Sequence, residues 1–278
     1  MSDPLKIIET AGKVIEKVPE IYEDGVQSSV VQTGKLVERI PRFLNALAAE
    51  FDIWIMKREA KVKVVSILIE KRLENVPDDS IVSPEPHIAV PALQAISYSM
   101  DSNEIRELYA NLLAKSMMRE TKDALHPAFI EIIKQLSPRE ASNLRCFPAS
   151  IEDTIPVVKY IEQLVPGIGH TERAVNVFIA NSRYDDLEMQ SASISLLQTL
   201  GLIHVGYDTH RPGEGVYDAF SKTALYLKII KNNKTLNGVL NTTLNSDAHK
   251  TRAEVSITKG YAQLTPFGLE FYKICLEQ

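Results

Sequence analysis

Cysteine is scarce in this chain. Cys146 and Cys275 stand 129 residues apart in 278, with no CxxC and no Cys/His cluster. That usage excludes a disulfide scaffold and points to a reducing compartment. Long apolar runs are also missing. The longest strongly apolar stretch, 62–69, is interrupted by Lys63 and Ser66 and is too short to cross a bilayer as a helix. The opening MSDPLKIIETAGK lacks the continuous apolar segment of a secretory signal, so a cytoplasmic location is expected. An excess of positive charge is absent as well. The formal net charge is −5, which is not that of an overall nucleic-acid binder, although a local basic face remains open.

Catalytic signatures are missing too. His87, His126, His170, His204, His210 and His249 are scattered, and none falls in an HExxH spacing. Thr33-Gly34-Lys35-Leu36 has the end of a phosphate-binding loop, but Ser29 replaces the upstream glycine and Leu36 the metal-binding hydroxyl. Gly167-Ile168-Gly169 lacks the third glycine of a dinucleotide fingerprint and reads as a turn. No GxSxG, nuclease-like carboxylate–lysine core or glycosidase pair stands out. No catalytic residue, metal site or cofactor is therefore assigned.

What is present is helical patterning. An apolar fraction of 45% with 24% charged residues allows a sizeable core at this length. Stripes of apolar residues at helical spacing run over 4–18, 26–39 and 42–75, with breaks at Pro19, Pro41 and Pro77. The first two are amphipathic, as any packed bundle requires. Lys57, Arg58, Lys61, Lys63, Lys71 and Arg72 exceed the acids of the same window by four charges and read as the solvated face of a long helix. Residues 76–91 hold four prolines and read as an extended connection. Helix resumes over 92–98. Asp101 and Glu104 then cap a helix whose buried face carries Ile105, Leu108, Tyr109, Leu112, Leu113 and Met117.

The stretch 126–140, HPAFIEIIKQLSPRE, is a helix, a corner and a second helix start. His126 opens it as a helix-start residue with a ring bonded to backbone, Pro127 takes the first helical position, and Phe129 faces the core with Ile132, Ile133 and Leu136. Ser137, Pro138 and Glu140 form a capping box. Together with IRELYANLLAKSMM at 105–118, this stretch resembles the Abi-alpha family, a bacterial domain linked to abortive infection by phage. The resemblance implies a bacterial or phage-associated cytoplasmic protein whose effect appears during infection; taken with the lack of a catalytic constellation, it leads us to expect an unidentified protein partner or phage component. It implies no catalytic residue.

A break near 150 suggests two domains, 1–148 helical and 149–278 mixed. Helices are expected at 155–164, 172–181, 186–200 and about 219–232, with a strand at 253–258. The patterns LxxLGLI at 196–203 and YxLTxxGxxFxxxC at 261–275 resemble a winged helix: recognition helix, two wing strands and a closing helix. An insertion of roughly fifty residues, about 207–257, separates them, far longer than a hairpin loop. The expected fold is thus mainly α, an N-terminal helical bundle followed by an α+β winged-helix-like domain with a small antiparallel sheet.

Three functions follow. The first is a non-enzymatic abortive-infection protein working through protein contacts. The second is a nucleic-acid-binding regulator using Gln190, Ser193 and Gln198 of the recognition helix with Lys228, Lys231 and Lys234 beside the wing. Against it, residues 167–278 carry 11 basic and 11 acidic side chains, a neutral balance. The third is a hydrolase or nuclease whose carboxylates converge only in the fold. The oligomeric state is open.

Overall fold

The computed structural model describes residues 59–99, 102–165, 169–243 and 252–277. The stripes expected over 4–18 and 26–39, the 33–36 loop, Lys57, Arg58, Asp101 and His249 lie outside the described residues. The described chain is mixed α+β, with eight α-helices and one four-stranded antiparallel sheet. Of the described residues, 59–138 and 271–277 form one compact unit and 139–270 the other.

The first unit is helical. Its elements are α1 (Glu59–Leu73), α2 (Pro86–Ser99), α3 (Asn103–Ser116) and α4 (Ala128–Gln135). Helix α3 is the middle one: Leu108 to Ala114 are buried in unbroken sequence, which an amphipathic surface helix never shows. Its cap is Ser102, whose hydroxyl accepts from the Ile105 N–H at 3.3 Å. Helix α2 begins six residues earlier than its prolines suggest. Pro86 occupies the first turn, where no N–H is needed, and Pro91 is carried inside the helix. The connection after α1 is stitched to the end of α3 by Val82 N–H to Met117 O (2.9 Å) and Arg119 N–H to Ser80 O (2.9 Å).

The buried centre of this unit contains a polar knot. Asn111 donates to the carbonyl of Cys275 at 2.7 Å and accepts from Arg72, whose guanidinium also pairs with Glu107. Arg72, read from sequence as part of a solvated face, is thus turned inward, its side chain 13% exposed.

The second unit is built on the sheet, in the order β2-β1-β4-β3. Strand β1 (Ile155–Val165) and β2 (His170–Val177) were both expected to be helices. The apolar residues of 155–164 recur every third position as well as alternating. The β-branched Ile155, Val157, Val158 and Ile161 with Tyr160 fit the pleated surface better, and pairing decides between the two periods. Strand β4 (Arg252–Leu264) joins into one long strand the segment expected at 253–258 and the second wing strand expected from Gly260, and it pairs with β1 along eleven positions, from Ile155↔Ala262 to Val165↔Arg252. Strand β3 (Ile203–Gly206) adds at the end of β4.

Helix α5 (Pro138–Leu144) precedes the sheet, α6 (Leu187–Thr199) links β2 to β3, and α7 (Ala224–Thr243) links β3 to β4. Helix α7 starts later than expected because Thr223 caps it: its hydroxyl accepts from the Tyr226 N–H at 3.2 Å, and residues 218–222 form a 3₁₀ turn. Val158 and Tyr160 of β1 and Val177 of β2 pack with Tyr217, Phe220, Leu225 and Ile229 into one apolar cluster. The final helix α8 (Pro266–Cys275) is capped by Thr265, which accepts from the Gly268 N–H at 2.8 Å. Among the described residues, no helix is long and apolar enough to cross a membrane.

Candidate binding cleft

The alternation of β1 places Val158, Tyr160 and Glu162 on one face, and α7 lays Leu225, Ile229 and Asn233 over it at four-residue steps. The first layers are apolar and the last is polar. Glu162 is buried there, its side chain 8% exposed. Asn233 donates to its Oε1 at 2.9 Å, and Arg173 of β2 donates to its Oε2 through Nε at 2.8 Å and through Nη2. Burial pushes the Glu162 carboxyl up, but the hydrogen bonds from Asn233 and Arg173 and the charge of Arg173 outweigh it. The pKa falls below its ordinary value, and the group stays a carboxylate. Asn237, one turn on, donates to Asn233 Oδ1 at 3.1 Å and grips both backbone groups of Ala253.

Beside this cluster opens a cleft of about 220 Å³ lined by Glu162, Arg173, Ile229, Asn232 and Leu236. The sequence offers no motif for it, because its lining comes from two paired strands and a helix more than fifty residues further along the chain. The only local signal is Glu162, a carboxylate at an inward position of an alternating strand.

A second polar cluster surrounds Asn143 of α5. Its Nδ2 donates to Gln190 Oε1 and Ser193 Oγ, both at 2.8 Å, and its Oδ1 accepts from Asn181 Nδ2 at 2.7 Å. Gln190 and Ser193, expected on a nucleic-acid surface, are therefore buried at 0% and 2% exposure and lie on the inner side of α6. Gln198 is exposed on the same helix. Lys228, Lys231 and Lys234 are exposed on α7, with Lys228 paired to Glu188 at 2.9 Å. That hydrogen bond and charge raise the Lys228 pKa.

Of the motif residues of 126–140, those up to Pro138 lie in the first unit and Glu140 in the second. The Ala128 N–H donates to His126 Nδ1 at 3.1 Å, and Pro127 is already in helical conformation ahead of α4. Phe129 is buried edge-on against Phe271, with centroids 5.4 Å apart. Ser137 is exposed, Pro138 opens α5 and Glu140 is buried. His204 and His210 lie against the rings of Tyr261 and Tyr217. Among the described residues, no group of three His, Cys, Asp or Glu side chains is arranged to hold a metal ion.

The architecture defines a mixed α+β protein with a helical unit and a sheet unit. A sequence profile described as abortive infection alpha matches residues 57–275, most of the chain. The chain belongs to the abortive infection alpha family, which associates it with abortive infection. Comparison with curated proteins and with solved structures returned no match.

Proposed function

We propose that this protein acts in abortive-infection defence against phage as a non-enzymatic component, in the cytoplasm and through contacts with a protein partner or phage component. The family match over 57–275 carries this reading. Two features agree with it. The buried carboxylate Glu162 is held ionised by Arg173 and Asn233, which suits an architectural anchor better than a proton donor. The amides around Asn143 bond to one another, as a polar core does. The test is phage challenge of a susceptible host expressing the chain, following burst size and survival at high and low multiplicity. Loss of burst with arrest or death of infected cells is expected. Normal burst and normal survival across a broad phage panel would sink the reading.

A second reading, nucleic-acid regulation by a winged-helix-like domain, draws on the order α6, β3, β4, α8 and on exposed Gln198, Lys231 and Lys234. It predicts a salt-dependent mobility shift that weakens in Lys231→Ala/Lys234→Ala. No shift at low salt would end it.

A further inference from the structure

We propose that the cleft formed by β1, β2 and α7 docks an uncharged, extended peptide segment of a partner protein and takes in one aliphatic side chain. The inference rests on the protein-contact reading above and gives that contact a location and a chemistry.

Size is the first argument. A cavity of about 220 Å³ is smaller than the ~300–1,000 Å³ of small-molecule sites, which suits a side chain with its flanking amides. The walls come next. Ile229 and Leu236 stand seven residues apart on one side of α7 and supply the apolar surface. Charge then narrows the ligand. Glu162 neutralises Arg173, whose side chain is 46% exposed, so the wall offers no net charge to an ionic ligand group.

The remaining polar groups match a peptide. Arg173 donates Nε and Nη2 to Glu162, and among the described residues its Nη1 makes no hydrogen bond. The side-chain amide of Asn232 makes none either, and it lines the same cleft. One donor and one amide, set beside two aliphatic walls, are complementary to a peptide carbonyl, a peptide N–H and a leucine- or isoleucine-like side chain.

The test uses the full chain, ¹⁵N-labelled, titrated with N-acetyl-leucine-N-methylamide while the Asn232 side-chain amide and Arg173 Nε–H resonances are followed. Saturable shifts are expected with a dissociation constant on the order of 1–10 mM, as a fragment of this size allows. The aspartate and lysine analogues are expected to bind at least about fivefold more weakly. Leu236→Lys should abolish the shifts. Asn232→Ala, at an exposed helical position, should weaken binding as read at Arg173 Nε–H, with an unchanged melting temperature. Absence of saturation to ~50 mM, equal binding of a charged analogue, or unchanged shifts in Leu236→Lys would overturn the proposal. Phage yield reports separately: defence without probe binding removes the cleft and keeps the functional reading, whereas probe binding without defence does the reverse.

Discussion

Gly268, in the first turn of α8, stands directly against the carbonyl of Leu202, so close that a β-carbon would fall inside the oxygen's contact radius. The same carbonyl accepts from the Thr265 N–H at 3.0 Å, and the Thr265 hydroxyl donates to Gly201 O at 2.6 Å. The two sequence patterns around LGLI and LTPFG are therefore two halves of one joint.

Gly268→Ala should overpack that joint and cost about 1–3 kcal/mol. Gly238, exposed inside α7, has open space where its β-carbon would stand. Gly238→Ala should stabilise by about 0.5–1 kcal/mol through helix propensity alone. Thermal unfolding of the two variants should thus shift in opposite directions. A shift of the same sign in both would contradict the packing described.

Asn143 should be the most costly polar truncation in the sheet unit. Asn143→Ala removes bonds to Gln190, Ser193 and Asn181 and leaves those buried groups short of partners, at about 2–4 kcal/mol. Urea midpoints of Asn143→Ala, Gln190→Ala and the double variant should be strongly non-additive, since both substitutions act within one network.

Glu162 links stability to pH. Its folded pKa lies below the ordinary value of 4.5, so its contribution is complete above that pH. The contribution is lost as pH falls through the lower folded value. Wild type and Glu162→Gln should therefore differ in urea midpoint at pH 7 and converge as the pH is lowered below about 4.5. A constant gap from pH 7 to pH 3 would show that the carboxylate is not held as described.

The thiols should be slow. Burial pushes both up, Cys275 well above 9.0 and half-buried Cys146 by less. In native protein near pH 8, a disulfide reagent should label Cys146 slowly and Cys275 not at all, with both reacting on unfolding. Rapid native labelling of Cys275 would mean that its helix end opens.

Tyr207 should resist ionisation. Desolvation raises its pKa to about 12 despite the bond to the Asn176 backbone, and its hydroxyl holds Asn176 at a left-handed φ of 53°. Tyr207→Phe should expose that strain at a cost of about 1–3 kcal/mol, read by chemical denaturation.

Local chemistry was legible in the chain. Apolar spacing marked α3 and α4, Thr265-Pro266 marked the start of α8, and the 126–140 and 105–118 stretches led to the family. These signals sit within a few residues of one another, where capping and periodicity act. Residues 155–164 and 172–177 were misread as helices; the apolar spacing of 155–164 satisfies two periods, and only the pairing of β1 with β4 and β2 selects one. Gln190 and Ser193 read as surface residues because polarity is the local guide to exposure. Asn143, about fifty residues away, supplies the partners that make their burial favourable. The same holds for Arg72 with Asn111 and for Glu162 with Arg173 and Asn233. Sequence by itself determined the apolar faces of α3 and α4, the start of α8 and which family the chain joins. Tertiary structure alone decided which polar side chains meet, because burying a charge or an amide is favourable only once its partner arrives from elsewhere in the fold.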